Sequence, residues 1–343
     1  MTMIPHISVL PIDVSWDFIG PNESNPGRLP FPVVDSVFLE DVAGVIAQTN
    51  FIWTRYVSEE EIKSLEHIRY ALVHHFEVKS ERLHERPKDE NSKNLLYRLH
   101  LGLKIIRPTR ARFQVFTFNM QDPIPRTPRW DRNDYGTILC DYEDGLIQSH
   151  DIEELAASAS SILRVLGKPT SPISQAIQSL EIGYRSEWFN VRHLLWVVGL
   201  DALFTSTEWE NRGSETAIDR ICNFLGDRFR IYNEDSLLSV GLPPLPDITL
   251  GEVLDDMYRL RNSFAHGRWP DKEWTGKVCR RSKDGTRDIH YAEVLAEAAS
   301  VCLRGCLRKM LADKQLVEMF NEKAQMNAHF TSKGLVRWKK TDA

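Results

Sequence analysis

Late in the chain, one helical pattern ends on Arg261-Asn262-Ser263-Phe264-Ala265-His266-Gly267. These side-chain types at this spacing could move a proton beside a bound anion. An imidazole exchanges protons near neutral pH, and at a helix C-terminus the aligned peptide dipoles favour its charged form. Arg261 carries a permanent planar fork that grips phosphate oxygens two at a time. Asn262 precedes His266 by four residues, so both lie on one helix face, where the amide can orient an imidazole or a ribose hydroxyl. On a straight helix, Arg261 and His266 diverge by roughly 140°. Closing the pair calls for a loosened last turn, the reach of the arginine, or a second copy of the motif from a partner chain.

Spacing alone is weakly selective. An Arg five residues before a His arises about once by chance at this composition, and Arg69 with His74 supplies a second instance. Requiring Asn directly after the Arg lowers the chance expectation to roughly 0.04 per chain. Plain structural roles stand beside the chemical ones: Arg261 can pair with an acid such as Asp201, and His266 can cap a helix end. Basic residues cluster after the motif, namely Arg268, Lys277, Arg280, Arg281, Lys283 and Arg287. They could track a nucleic-acid backbone or form a solvated loop. Trp269 and Trp274 could stack on bases or pack against the helices. His74 and His75 are adjacent on a predicted helix without a third ligand nearby, so no metal site is expected.

The elements that must position these groups are mostly helical. The helix bearing the motif is the best specified: Thr249 is its N-cap, Glu252 completes a capping box, and Ile248 with Val253 suits a hydrophobic staple. Its apolar stripe is Leu250, Val253, Leu254, Met257, Leu260 and Phe264, and it stops at Gly267. Upstream, the pattern predicts helices over Asp151–Leu166, over Ile173–Phe204 (unbroken, or two meeting near Gly183), and over Glu215–Leu225. Downstream, one long helix is expected from about Tyr291 to Phe320. Between them, Asp235–Asp247 holds Gly241, Pro243, Pro244 and Pro246 and cannot be helical throughout.

The first 150 residues read as a smaller α+β region. His6–Val14 reads as a strand, followed by a loop from Pro21 to Pro32. Ser58 and Glu61 suit a capping box before a helix carrying Ile62, Leu65, Ile68, Leu72 and Phe76. Ser80–Lys93 reads as a polar loop, Leu95–Ile106 as a second helix, and Arg112–Met120 as a strand. Prolines from Pro123 to Pro128 then break the pattern. The expected fold class is mainly α, with a helical bundle at 151–330, an α+β region at 1–150 and a basic tail at 331–343.

With 343 residues, 42% hydrophobic and 27% charged, and a net charge of -5, the composition is that of a globular chain without a global basic signal. The five cysteines lack a Cys-x-x-Cys pair, and buried reduced thiols are expected. Met1–Val9 lacks a basic segment followed by an apolar core, as a signal peptide would have. The longest apolar stretch, Leu194–Phe204, is broken by Asp201 and too short for a bilayer. A cytoplasmic protein without membrane contact or cofactor is expected.

The segment Leu260–Gly267 resembles the signature of the HEPN superfamily, an Arg and a His four to six residues apart with a polar residue after the Arg. Leu200-Asp201-Ala202-Leu203-Phe204 is similar to the Leu-Glu-Ala-Leu-Phe of the ApeA-like HEPN branch, with Asp in place of Glu. The resemblance covers about half of the chain. It implies a HEPN-like helical bundle that acts as a metal-independent endoribonuclease and homodimer, with two motifs facing each other and RNA as the partner. Arg261, Asn262 and His266 would be catalytic, with Arg268, Lys277, Arg280, Arg281 and Lys283 on the RNA. A role in defence or a toxin-like system follows from the same resemblance, which also admits a regulatory protein or a phage-derived trigger as partner. Two alternatives stay open: a non-catalytic HEPN-fold interaction module, and a nucleotide sensor.

Overall fold

The computed structural model describes residues 3–12, 29–41, 70–79, 87–107, 115–119, 147–205, 213–226, 249–268, 278–281 and 288–332. In chain order these form β1 (Met3–Ile12), β2 (Phe31–Val34), β3 (Val37–Asp41), β4 (Tyr70–Lys79), α1 (Pro87–Ile106), β5 (Phe116–Asn119) and α2 (Ser149–Leu166). There follow α3 (Pro172–Arg185), α4 (Phe189–Phe204), α5 (Gly213–Leu225), α6 (Leu250–Ala265), β6 (Val278–Arg281), β7 (Asp288–His290), α7 (Tyr291–Leu311), α8 (Lys314–Phe320) and α9 (Lys323–Ser332). The protein is mainly α, a helical bundle preceded by an α+β region.

Two compact units emerge. The first comprises Met1–Asp134 and Gly145–Leu163, the second Tyr135–Asp144 and Arg164–Ala343. In the first, an antiparallel sheet runs in the order β2-β3-β4-β1-β5. β1 and β4 pair along ten residues, from Met3 opposite Lys79 to Ile12 opposite Tyr70. Apolar residues on both faces of this pair, Leu10 and Leu72 on one, Val9 and Val73 on the other, are buried. Burying both faces explains why the strand lacks a clean alternation of polar and apolar residues. Ser8 and Thr117 satisfy one another across β1 and β5, their hydroxyls 2.9 Å apart. α1 packs beside α2 closely enough that a Cβ at Gly102 would lie 2.6 Å from Ile162.

Here the structure corrects several expectations. Leu72 and Phe76 were expected on a helix, yet both lie in β4; the pairing with β1 and β3 outweighs the local helical spacing. His74 and His75 therefore point to opposite sheet faces instead of sharing a helix. His74 Nδ1 lies 2.7 Å from the Ser92 hydroxyl, and His75 Nε2 lies 2.5 Å from Glu40. α1 starts at Pro87, inside the expected polar loop, because proline suits the first helical turn. Pro32 belongs to β2, and the strand expected over Arg112–Met120 is described only as β5. The capping box at Ser58 and Glu61, with Ile62, Leu65 and Ile68, lies outside the described residues. So do the prolines at 123–128, the linker at 235–247, Ile248, and the tail from 333 onward.

In the second unit α4 is the central helix, in contact with α3, α5, α6 and α7. The expected stretch over Ile173–Phe204 is two helices that part at Ser186–Trp188, three residues beyond Gly183. α3 starts cleanly because the Ser171 side chain accepts from the Ser174 N–H and Pro172 stands in the first turn. Gly183 is where α3 and α4 touch: a Cβ there would sit 2.2 Å from Trp196 Nε1. The Trp196 ring is fully buried, and its N–H donates to the Leu180 carbonyl at 3.2 Å.

The long terminal helix is also divided, at Ala312–Asp313. Asp313 caps α8 by accepting from the N–H groups of Gln315 and Leu316, so a side-chain cap interrupts an otherwise continuous pattern. Phe204, Phe224, Phe320 and Phe330 form an aromatic cluster with centroid separations of 5.3–6.1 Å. Cys302 and Cys306 are buried free thiols, as expected, and burial pushes both well above the ordinary thiol range. No helix among the described residues is long and apolar enough to cross a membrane.

Candidate functional site

The motif lies at the end of α6, whose start is built as the sequence predicts. Thr249 accepts from the Glu252 N–H at 3.3 Å, and the Glu252 carboxylate accepts from the Thr249 N–H at 2.7 Å. Val253, Leu254, Met257, Tyr258 and Leu260 are buried, while Leu250 and Phe264 are half-buried. At the other end His266 is the C-cap, with φ -93° and ψ 9°, and its N–H keeps the helical bond to the Asn262 carbonyl at 3.1 Å. Gly267 follows with φ +66°. Its N–H bonds the Phe264 carbonyl at 3.0 Å, and the Arg268 N–H bonds the Ser263 carbonyl at 2.8 Å. That pair of bonds is a Schellman motif, which accounts for the glycine by backbone geometry alone. Gly267→Ala should therefore lower stability by about 1 kcal/mol, since an added Cβ would meet nothing within 4 Å and only the positive φ resists it. Urea unfolding beside wild type checks this.

Arg261 reaches across to α4. Its guanidinium lies 3.4 Å from Asp201 Oδ2, while its other terminal nitrogen donates to Asn262 Oδ1 at 3.0 Å. Asp201 Oδ1 accepts from the Tyr258 hydroxyl at 2.8 Å. The result is a chain Tyr258–Asp201–Arg261–Asn262 that holds the guanidinium at the surface, its side chain 36% exposed. Burial raises the Asp201 pKa, an effect opposed by the Tyr258 hydrogen bond and by the charges of Arg261 and Lys323. Burial likewise raises Tyr258, and the neighbouring Asp201 carboxylate adds to it, so the phenol stays a donor at neutral pH.

Behind this chain lies His193. Its Nε2–H donates to the Met257 carbonyl at 2.9 Å, and its ring meets Phe264 edge-on at 5.8 Å. Phe264 in turn meets Phe189 at 5.6 Å. Burial, with a smaller contribution from Arg261, lowers the His193 pKa to about 4. The imidazole is neutral at pH 7, which spares Arg261 a like charge. The stability consequence has a definite sign. Below pH 6.5 the unfolded chain binds a proton at this position that the folded chain refuses, so stability falls as pH drops from 6.5 towards 4. The loss should approach about 3 kcal/mol. Asp201, raised from 3.8, acts in the opposite sense as pH falls through its folded pKa. Urea midpoints from pH 7 to pH 4.5 should show the slope, flattened in His193→Gln.

The expected site residues are thus partly brought together. Arg261 and Asn262 are joined directly. His266 and Arg268 are exposed, and among the described residues no side-chain hydrogen bond or ion pair links His266 to Arg261 or Asn262. Arg280 and Arg281 belong to β6, paired with β7 at Ile289 and Asp288, so they sit on a hairpin strand rather than in a loop. Lys277, Lys283, Arg287, Trp269 and Trp274 lie outside the described residues. No group of three or more metal-ligating side chains occurs among the described residues. Two residues were missed in the sequence, Tyr258 and His193. Tyr258 had a signal, since it stands three before Arg261 on the same helix face; His193, eight before Asp201, had only a faint one. No family model, no curated protein and no solved structure matches the chain.

Proposed function

We propose that this protein is a metal-independent endoribonuclease of the HEPN kind, acting as a homodimer in the cytoplasm in a defence or toxin-like role. One observation carries the reading: the end of α6 presents an exposed His266 five residues after an Arg261 whose guanidinium is braced by Asp201 and Asn262 at the surface. A fixed guanidinium suits the negative charge that builds on the non-bridging phosphate oxygens when a ribose 2′-hydroxyl attacks the adjacent phosphorus. The bond from phosphorus to the 5′-oxygen breaks, leaving a 2′,3′-cyclic phosphate and a 5′-hydroxyl. One imidazole takes the 2′ proton and a second, from the partner copy, protonates the leaving oxygen. Arg268, with Lys277, Arg280, Arg281 and Lys283, would follow the RNA backbone.

A second reading, a helical interaction module without catalysis, is favoured by the pairing of Arg261 within its own chain. One assay separates the two. Wild-type protein with EDTA should cut single-stranded RNA to cyclic-phosphate ends, and both Arg261→Ala and His266→Ala should remove that activity. Cleavage that survives both substitutions would sink the site assignment. An inert wild type whose expression is also harmless to cells would favour the interaction module.

A further inference from the structure

We infer that Tyr258 is a positioning residue: its hydroxyl holds one carboxylate oxygen of Asp201, so that the other is left as a fixed seat for Arg261. What the guanidinium is positioned to do rests on the ribonuclease reading above. The positioning itself stands on geometry.

Tyr258 and Arg261 lie three residues apart on α6, next to each other on one face, and both reach the same carboxylate on α4. They divide it between them. The phenol donates to Oδ1 at 2.8 Å, and the guanidinium lies 3.4 Å from Oδ2. The two contacts differ in kind. Tyr258 is 4% exposed and its bond is short, whereas the arginine side chain is 36% exposed and its contact is long. The last torsion of an aspartate has broad wells, so one long contact with an exposed arginine would leave the carboxylate free to turn. The buried phenol removes that freedom. The guanidinium is then held where Asn262 Oδ1 accepts from its other terminal nitrogen at 3.0 Å.

The surrounding charges give this seat a pH dependence. Tyr258 and Arg261 of α6 and Lys323 of α9 act on Asp201. Cys302 of α7 acts on Tyr258, and His193 of α4 feels Arg261. Burial raises the Asp201 pKa, and the phenol's hydrogen bond opposes it. Without the hydroxyl, the carboxyl would take up its proton at a higher pH. A neutral carboxyl no longer attracts Arg261, so the seat would be lost earlier as pH falls.

NMR of the full chain, with labelled aspartate carboxyl carbons and arginine guanidinium nitrogens, reads both partners directly. Asp201→Asn and Arg261→Ala assign the signals. In wild type the two groups should titrate with one midpoint. In Tyr258→Phe, which keeps the ring, that midpoint should rise by about one pH unit, the weight of one hydrogen bond to a charged group. Tyr291→Phe is the control. Tyr291 is equally buried and donates to Asp256 at 3.0 Å, on another face of α6, so its loss should move neither signal. In RNA cleavage at neutral pH, Tyr258→Phe should lower kcat roughly 10-fold with KM little changed, and Tyr291→Phe should match wild type. An Asp201 midpoint that Tyr258→Phe leaves in place would overturn the inference, even in an enzyme that cuts RNA. So would an Arg261 signal blind to Asp201, or a shifted midpoint with wild-type kcat. An inert wild type whose midpoints still move upholds the positioning and counts against the ribonuclease reading.

Discussion

His266→Ala is expected to lower RNA cleavage by about 10²–10⁴-fold, the usual contribution of a positioned acid or base, while leaving stability within about 0.5 kcal/mol of wild type. The side chain is exposed at the helix cap, and the cap is built from backbone bonds that alanine preserves: His266 N–H to the Asn262 carbonyl, then the Gly267 and Arg268 bonds. Activity and stability should therefore separate at this position. They should not separate at Arg261, where alanine also removes one of the partners of the half-buried Asp201. The informative comparison is initial cleavage rate against urea midpoint for wild type, His266→Ala and Arg261→Ala. A full-rate His266→Ala would remove the histidine from the chemistry whatever Arg261 did.

Gly183→Ala is expected to destabilise the helical unit by about 3 kcal/mol, lowering its thermal midpoint by roughly 10 °C. Alanine favours a helix over glycine by about 1 kcal/mol, so local propensity predicts the opposite sign. Packing decides, because the new Cβ would lie 2.2 Å from Trp196 Nε1 and within 2.9 Å of two further ring atoms. The ring cannot withdraw without losing its bond to the Leu180 carbonyl and its edge contact with Tyr184 at 5.6 Å. Scanning calorimetry of Gly183→Ala, Trp196→Phe and the double variant gives the coupling. Phenylalanine is smaller and lacks the N–H, so the two losses should fall short of additive. Full additivity would mean that the clash relaxes elsewhere.

Much of this architecture could be read from local chemistry. The capping box at Thr249 and Glu252, the stripe from Val253 to Leu260, and the stop at Gly267 all involve residues within one or two helical turns. Interactions that short are encoded where they act, so the sequence determined the helix that carries the motif, and with it the capped end bearing His266. It also determined that the second half would be helical and that Cys302 and Cys306 would be buried. Tertiary structure decided the rest. Leu72 and Phe76 keep a helical spacing but form a strand, because β1, sixty residues away, offers ten paired positions. Asp201 was visible as an acid that could meet Arg261, whereas Tyr258 and His193 acquired their roles only when α4 crossed α6. Those contacts join residues about sixty positions apart, and no local periodicity reports which side chains will meet. Only the packed bundle decided which apolar side chains of α4 are covered, burying Trp196, Val197 and Leu200 and leaving Val191 and Val198 exposed.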